Sequence, residues 1–220
     1  AFTANVLIAW SLILGTGEGN RCNAGCESGV GLYRSTDGGE HWKKLAGSCV
    51  SDATYVCVNP GQDSFLGRGI NGIVIDPRNA KHILVGSATA VRGLSHTIGT
   101  GSTPRFEPGA NQAGLYESFD GGKTFTEVWN GNDPASFGVT DVGLDPLNPD
   151  TVYASAFDQG LWRRDAGAAS TAFQQVFAPQ FAQGIGIDRT MVALTVKNGH
   201  TRIYLTDGTQ NTLGILGPLA

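Results

Sequence analysis

The stretch GLYRSTDGGEHW, residues 31–42, returns 83 residues later as GLYESFDGGKTF, residues 114–125. Each copy carries Ser-x-Asp-Gly-Gly-x-x-aromatic between two short apolar runs. The local physics predicts a locked hairpin. Asp37 or Asp120 accepts hydrogen bonds from amides of its own turn, paired glycines permit positive φ, and Trp42 or Phe125 packs between sheets.

Working outward, a second echo joins INGIVIDPRNAKHILVGS from Ile70 to VTDVGLDPLNPDTVYASA from Val139. Each has an alternating apolar strand, an Asp-Pro turn and a second apolar strand. Weaker copies are GIGIDRTMVALTV from Gly184 and NVLIAWSLILGTG from Asn5. Their first apolar residues, Val6, Ile73, Val142 and Ile185, are spaced by 67, 69 and 43. Third strands follow in GLYRS, GLYES, GLWRR from Gly160 and RIYLT from Arg202, the last two 42 apart. The unit is therefore about 43 residues, and the first two units carry insertions. HWKKLAG, TFTEVWN, AFQQVFA and TLGILGP supply a fourth strand.

Four antiparallel strands in a unit of this length is the pattern of a β-propeller blade. The expectation is an all-β chain, one propeller segment over residues 1–220, with blades at about 4–50, 70–131, 139–178 and 183–217. Four blades could close as a small propeller, but propellers run from about four to eight blades, so the favoured expectation is a segment of a larger ring. Its remaining blades would come from the parent chain or a partner.

The two good turns resemble the Asp-box, or BNR, repeat of sialidases, sortilin-type receptors, xyloglucan-active hydrolases and a photosystem assembly factor. The resemblance implies that Ser35, Asp37, Gly39 and Trp42, with Ser118, Asp120, Gly122 and Phe125, are structural and lie on the rim away from the ligand face. Units three and four depart from the motif: RRDAGAASTAF and LTDGTQN keep Asp165 and Asp207 without the serine and paired glycines, so looser turns are expected. Sialidase chemistry, as the family implies, needs an arginine triad and a tyrosine nucleophile. Arg68, Arg92 and Arg105 fall in two adjacent loops, and Arg-Ile-Pro is missing, which counts against that activity.

Composition agrees with an all-β chain: 40% hydrophobic residues, 32 glycines and 9 prolines in 220 residues. A net charge of -4 and 15 unclustered Lys and Arg give no footprint for nucleic acid or an anionic membrane. The apolar run at residues 6–14 is far shorter than the roughly 20 residues of a membrane span. It lacks the basic flank of a signal peptide and reads as two strands. GTGEGN lacks the Lys-Ser/Thr of a phosphate loop. No metal or cofactor motif stands out.

Cys22, Cys26, Cys49 and Cys57 fall within 36 residues, which suits disulfides and an oxidising compartment, either extracellular, periplasmic or at the cell surface. Spacings of C-x3-C and C-x7-C match paired zinc knuckles poorly. The first pairing is Cys22–Cys26 with Cys49–Cys57, and a bridge between the two loops stays open.

Propeller topology puts the long loops 16–30, 47–69 and 87–113 on the face opposite the Asp boxes. Loops of that length in a compact domain are usually functional or disordered. Their polar residues include Glu18, Asp52, Asp63, Arg68, Arg92, His96, Arg105 and Glu107. Asn71, Asp141 and Gln183 enter the innermost strands and are expected at the mouth of the channel. Glu18 with Asp141 would serve glycoside hydrolysis if held roughly 5–10 Å apart, but no spacing rule selects that pair over ordinary solvated carboxylates. Two functions follow: a recognition scaffold for a glycan or protein ligand, or a glycoside hydrolase using loop carboxylates.

Overall fold

The computed structural model describes residues 11–19, 27–90, 109–132, 138–179 and 189–207. Every regular element among them is a β-strand. The strands form four sheets that follow one another along the chain. The first holds β1 (Leu12–Gly15), β2 (Leu32–Ser35) and β3 (Lys43–Lys44) in that order. The second holds β4 (Ser48–Cys49), β5 (Arg68–Asp76), β6 (Asn79–Thr89), β7 (Leu115–Ser118) and β8 (Thr124–Trp129), ordered β4-β8-β7-β6-β5. The third is β9 (Val139–Leu144), β10 (Val152–Ala156), β11 (Gly160–Arg164) and β12 (Gln174–Phe177), a four-stranded meander. The fourth is the hairpin of β13 (Met191–Lys197) and β14 (His200–Thr206). The strands expected before Leu12, at residues 184–188 and in TLGILGP lie outside the described residues.

Period-two alternation explains the stacking. Ile83 and Val85 of β6 face the first sheet and pack with Leu32, Phe65, Tyr116 and Phe125. Leu84 faces the other way, into a core with Leu115, Val128, Trp129, Val142, Val152 and Ala154. β6 is thus buried on both faces. Trp129 stacks on Phe173 with ring centroids 5.4 Å apart, which joins the second and third sheets. The inner strands β5 and β9 come closer than side chains allow: a Cβ on Gly72 would lie 2.9 Å from Val142 Cγ1.

The repeated stretch forms the same lock twice. Ser35 Oγ donates to Asp37 Oδ1 at 2.7 Å and accepts from Gly39 N at 2.8 Å, while Asp37 Oδ1 accepts from His41 N at 3.0 Å. In the second copy Ser118 Oγ donates to Asp120 Oδ1 at 2.9 Å and accepts from Gly122 N at 2.9 Å, and Asp120 Oδ1 accepts from Thr124 N at 3.0 Å. Gly38, Gly39, Gly121 and Gly122 all hold positive φ, from 79° to 101°. Burial pushes Asp120 up, but the bonds from Thr124, Ser118 and Lys123 prevail and bring it to about 2. Asp165 has a different partner: it pairs at 2.7 Å with the half-buried Arg163, and is itself exposed.

Two departures from the sequence reading concern strand boundaries. Of HWKKLAG only Lys43–Lys44 enters the first ladder. The chain then crosses over, and Ser48–Cys49 pairs in parallel with β8, Ser48 opposite Thr124. The cause is the open outer edge of β8, whose main-chain groups need partners. Ser48 N donates to Lys123 O at 3.0 Å and Val50 N to Phe125 O at 2.9 Å.

A charged network ties the second and third sheets. His82 lies between Asp76 (3.1 Å) and Glu117 (2.7 Å), and Arg164 meets both oxygens of Glu117 at 2.8 Å. Arg78 joins Asp76 to Asp150. Hydrogen bonding to Glu117 raises His82, with Asp76 adding to it against the effect of burial. Burial pushes Glu117 up, yet His82 and Arg164 bring it down to about 2.

Two outcomes test these locks. Asp120→Ala should cost about 2 kcal/mol in chemical denaturation because several amides lose a charged acceptor, whereas Asp165→Ala should stay within about 1 kcal/mol, as for an exposed pair. The stabilisation from Glu117, depressed from 4.5, is present above that value and is lost as pH falls towards 2. The stabilisation from His82, raised from 6.5, is full below that value and is lost as pH climbs through its folded-state value. In a melting-temperature profile, His82→Gln should remove the His82 contribution to the decline above pH 6.5.

Candidate functional site

The loop 47–69 is fixed at several points. Cys49–Cys57 is a disulfide with Cα atoms 6.1 Å apart, as the first pairing expected, while Cys22 and Cys26 lie outside the described residues. Asp52 Oδ1 accepts from Thr54 N at 2.7 Å and Tyr55 N at 2.8 Å, and Cys57 N donates to Ser51 Oγ at 2.9 Å. Gly61 N donates to Cys49 O at 2.9 Å, closing the base of the loop. Val50, Val56 and Val58 are left facing solvent, Val56 at 73% exposure.

The next loop is moored to this one. Asn111, fully buried, accepts from Asn59 N through its Oδ1 at 3.1 Å, and Asn59 Nδ2 donates to Gly109 O. Arg68, at the start of β5, donates to the carbonyls of Asn111 at 2.6 Å and Ala110 at 3.4 Å. Its guanidinium therefore spends itself on main chain, and burial lowers its affinity for its proton.

Asn71 and Asp141 also bind main chain. Asn71 Nδ2 donates to Gly19 O at 3.1 Å and Val139 O at 2.8 Å, linking the first long loop to the third sheet. Asp141 Oδ1 accepts from Val142 N at 2.9 Å and Oδ2 from Val192 N at 3.1 Å, so the carboxylate clamps β9 to β13. Burial raises Asp141 despite those bonds. Glu18 is exposed, and its own amide donates to Glu27 O at 2.8 Å. Arg92, His96, Arg105 and Gln183 lie outside the described residues.

Sequence reasoning missed Glu127. It is 4% exposed on β8, opposite Tyr116, and burial pushes its carboxyl up to about 7 against the pull of Arg68. Its Oε1 has no hydrogen-bond partner among the described residues. The signal was present in TFTEVW, where a glutamate takes an inward position of an alternating strand.

At the first of the two locked turns, Asp37, Glu40 and His41 bring donor atoms within 4.8 Å of one another, all exposed. Asp37 Oδ2 already pairs with His41 Nδ1 at 2.7 Å. Beside them an open groove of about 470 Å³ runs past Arg34, Trp42, Lys43 and Lys44. Among the described residues no helix is long and apolar enough to cross a membrane.

The buried Glu127 has a measurable signature. A carboxyl raised from 4.5 to about 7 makes folding progressively less favourable as pH rises across that interval. Glu127→Gln should therefore melt higher than the parent at pH 8 and show little difference at pH 4. A constant difference at both values would remove the titration from the account.

No family model matches this sequence, and no curated protein matches it. Among solved structures, an ancestral GH74 enzyme aligns with 91% of this chain at 19% identity and a TM-score of 0.36. The alignment covers 30% of that enzyme, so the chain spans less than a third of its length.

Proposed function

We propose that this chain is part of an Asp-box β-propeller exported to an oxidising compartment, where it acts as a recognition scaffold for a glycan or protein ligand. Binding uses the long-loop end, and further blades complete the ring. The observation that carries this reading is the loop 47–69, held by a disulfide, a parallel strand and an aspartate-capped turn while it presents Val50, Val56 and Val58 to solvent. A loop ordered before contact loses little entropy on binding, and exposed apolar side chains on such a loop suit an interface. Two of the candidate residues support the same reading: Asp141, a candidate carboxylate, is spent on main-chain amides, and Arg68, a ligand-face candidate, on main-chain carbonyls.

The second reading is a glycoside hydrolase of the sialidase-like or xyloglucanase-like kind. Glu127 favours it, since a carboxyl that keeps its proton near neutral pH has the property a general acid requires. At 4% exposure, however, it is shut away from a glycosidic oxygen.

One experiment separates the two readings. The chain is incubated with xyloglucan and with sialyllactose while sugar release is followed, and is applied in parallel to glycan and protein arrays. The expected result is no release, together with array binding that falls at least tenfold in a Val56→Asp, Val58→Asp double variant. Sugar release that survives the double variant and disappears in Glu127→Gln would replace the scaffold by the hydrolase.

A further inference from the structure

The first two sheets match residue for residue through their registers. Leu12 pairs with Ser35 as Ile83 pairs with Ser118, and Leu14 pairs with Tyr33 as Val85 pairs with Tyr116. Trp42 takes the place of Phe125 in the repeated turn. In the second sheet this set, Ile83, Val85, Tyr116 and Phe125, is at most 1% exposed because Ile13 and Leu32 of the first sheet, with Phe65 of the loop 47–69, cover it. In the first sheet the equivalent set is open: Leu12 is 38%, Leu14 48% and Trp42 41% exposed, with Tyr33 half-buried.

The side chains of that face are held against one another. The indole of Trp42 is pinned by its Nε1, which donates to Gly39 O at 2.9 Å. A Cβ on Gly39 would lie 3.5 Å from Leu12 Cδ1 and 3.8 Å from Trp42 Cζ2, which sets the leucine and the indole side by side. The chain repeats a face that its own second copy buries, and among the described residues this copy has no such cover.

The complementary half is at the other end of the chain. In the last sheet Val192 and Leu194 turn towards β9: Val192 N donates to Asp141, and Leu194 Cδ1 would lie 2.9 Å from a Cβ on Gly143. Met191, Ala193 and Tyr204 are then on the opposite face, all exposed, Met191 at 44% and Tyr204 at 58%. This face is positioned to follow β9–β12 as the covered face of the first sheet precedes β5–β8.

We propose that a second copy of this chain docks head to tail, the Met191, Ala193 and Tyr204 face of one molecule covering the Leu12, Leu14, Tyr33 and Trp42 face of the next. The contact continues the sheet-on-sheet order already present within the chain. It is heterologous, with different surfaces meeting, so it either closes a ring or propagates. The proposal rests on reading the sheets as successive blades and is independent of what the loop end binds.

Light scattering on the purified chain across a concentration series tests it. The expected mass is at least twice the 23.0 kDa of one chain. Leu14→Lys and Tyr204→Lys should each give a monomer that still unfolds cooperatively, losing only the stabilisation that association supplies, since both side chains are exposed. If Leu14→Lys unfolds, Leu12→Lys replaces it. An equal mixture of the two variants should recover a dimer, because each supplies the face the other lacks. A monomer at every concentration would overturn the proposal and assign the face to a blade of another polypeptide. Association untouched by both variants, or two monomeric variants that do not complement, would overturn it as well. Array binding retained by the monomeric variants keeps the two readings separable.

Discussion

A sheet with apolar side chains on both faces cannot be satisfied by one neighbour, and most of this structure follows from that. β6 alternates Ile83 and Val85 to one side with Leu84 to the other, all of them buried. Burying both faces requires a sheet in front and a sheet behind. At roughly 25 cal/mol per Å² of apolar area, face-to-face contact outweighs any single hydrogen bond in the turns. The turns fix where each strand reverses, and the stacking holds the sheets together.

Stacking is close only where side chains permit it. Gly72 and Gly86 let β5 and β6 approach β9, since a Cβ on Gly86 would fall 2.6 Å from Val139 Cγ1. Further out, the same pair of sheets is joined by ions. The Asp76, His82, Glu117 and Arg164 set is largely buried, and its members satisfy one another at 2.7–3.1 Å. A buried set of this kind adds little over an apolar packing of the same volume, but losing one member strands another, so it fixes the relative placement of the two sheets. The inner strands are thus set by missing side chains, and the outer ones by charged ones.

Local features were legible in the sequence and distant ones were not. The Ser-x-Asp-Gly-Gly lock is written within eight residues, and the structure forms it at Ser35 and again at Ser118. Both Asp-Pro turns are likewise local: Arg78 N donates to Asp76 and Leu147 N to Asp145, each at 2.8 Å. The parallel strand β4 was invisible because its partner β8 lies far along the chain. His82, Glu117 and Arg164 each look ordinary in their own strand, and their meaning comes from three different strands meeting. Aligning RIYLT with GLYES put Tyr204 in the place of Tyr116, whereas pairing of Ile203 with Leu194 turns the isoleucine towards the third sheet. For the candidate site, sequence marked Arg68, Asn71 and Asp141 as polar residues near the long loops, but their main-chain partners could not be read from it.

The parallel seating of β4 on β8 has a kinetic meaning. Pairing Ser48 with Thr124 closes a loop containing most of the second sheet, and long loops are entropically late to close. The hairpins β5–β6 and β7–β8 involve shorter closures and can form before it. Until β4 arrives, β8 shows an unpaired edge able to template another strand. The chain that emerges first therefore guards its sheet last.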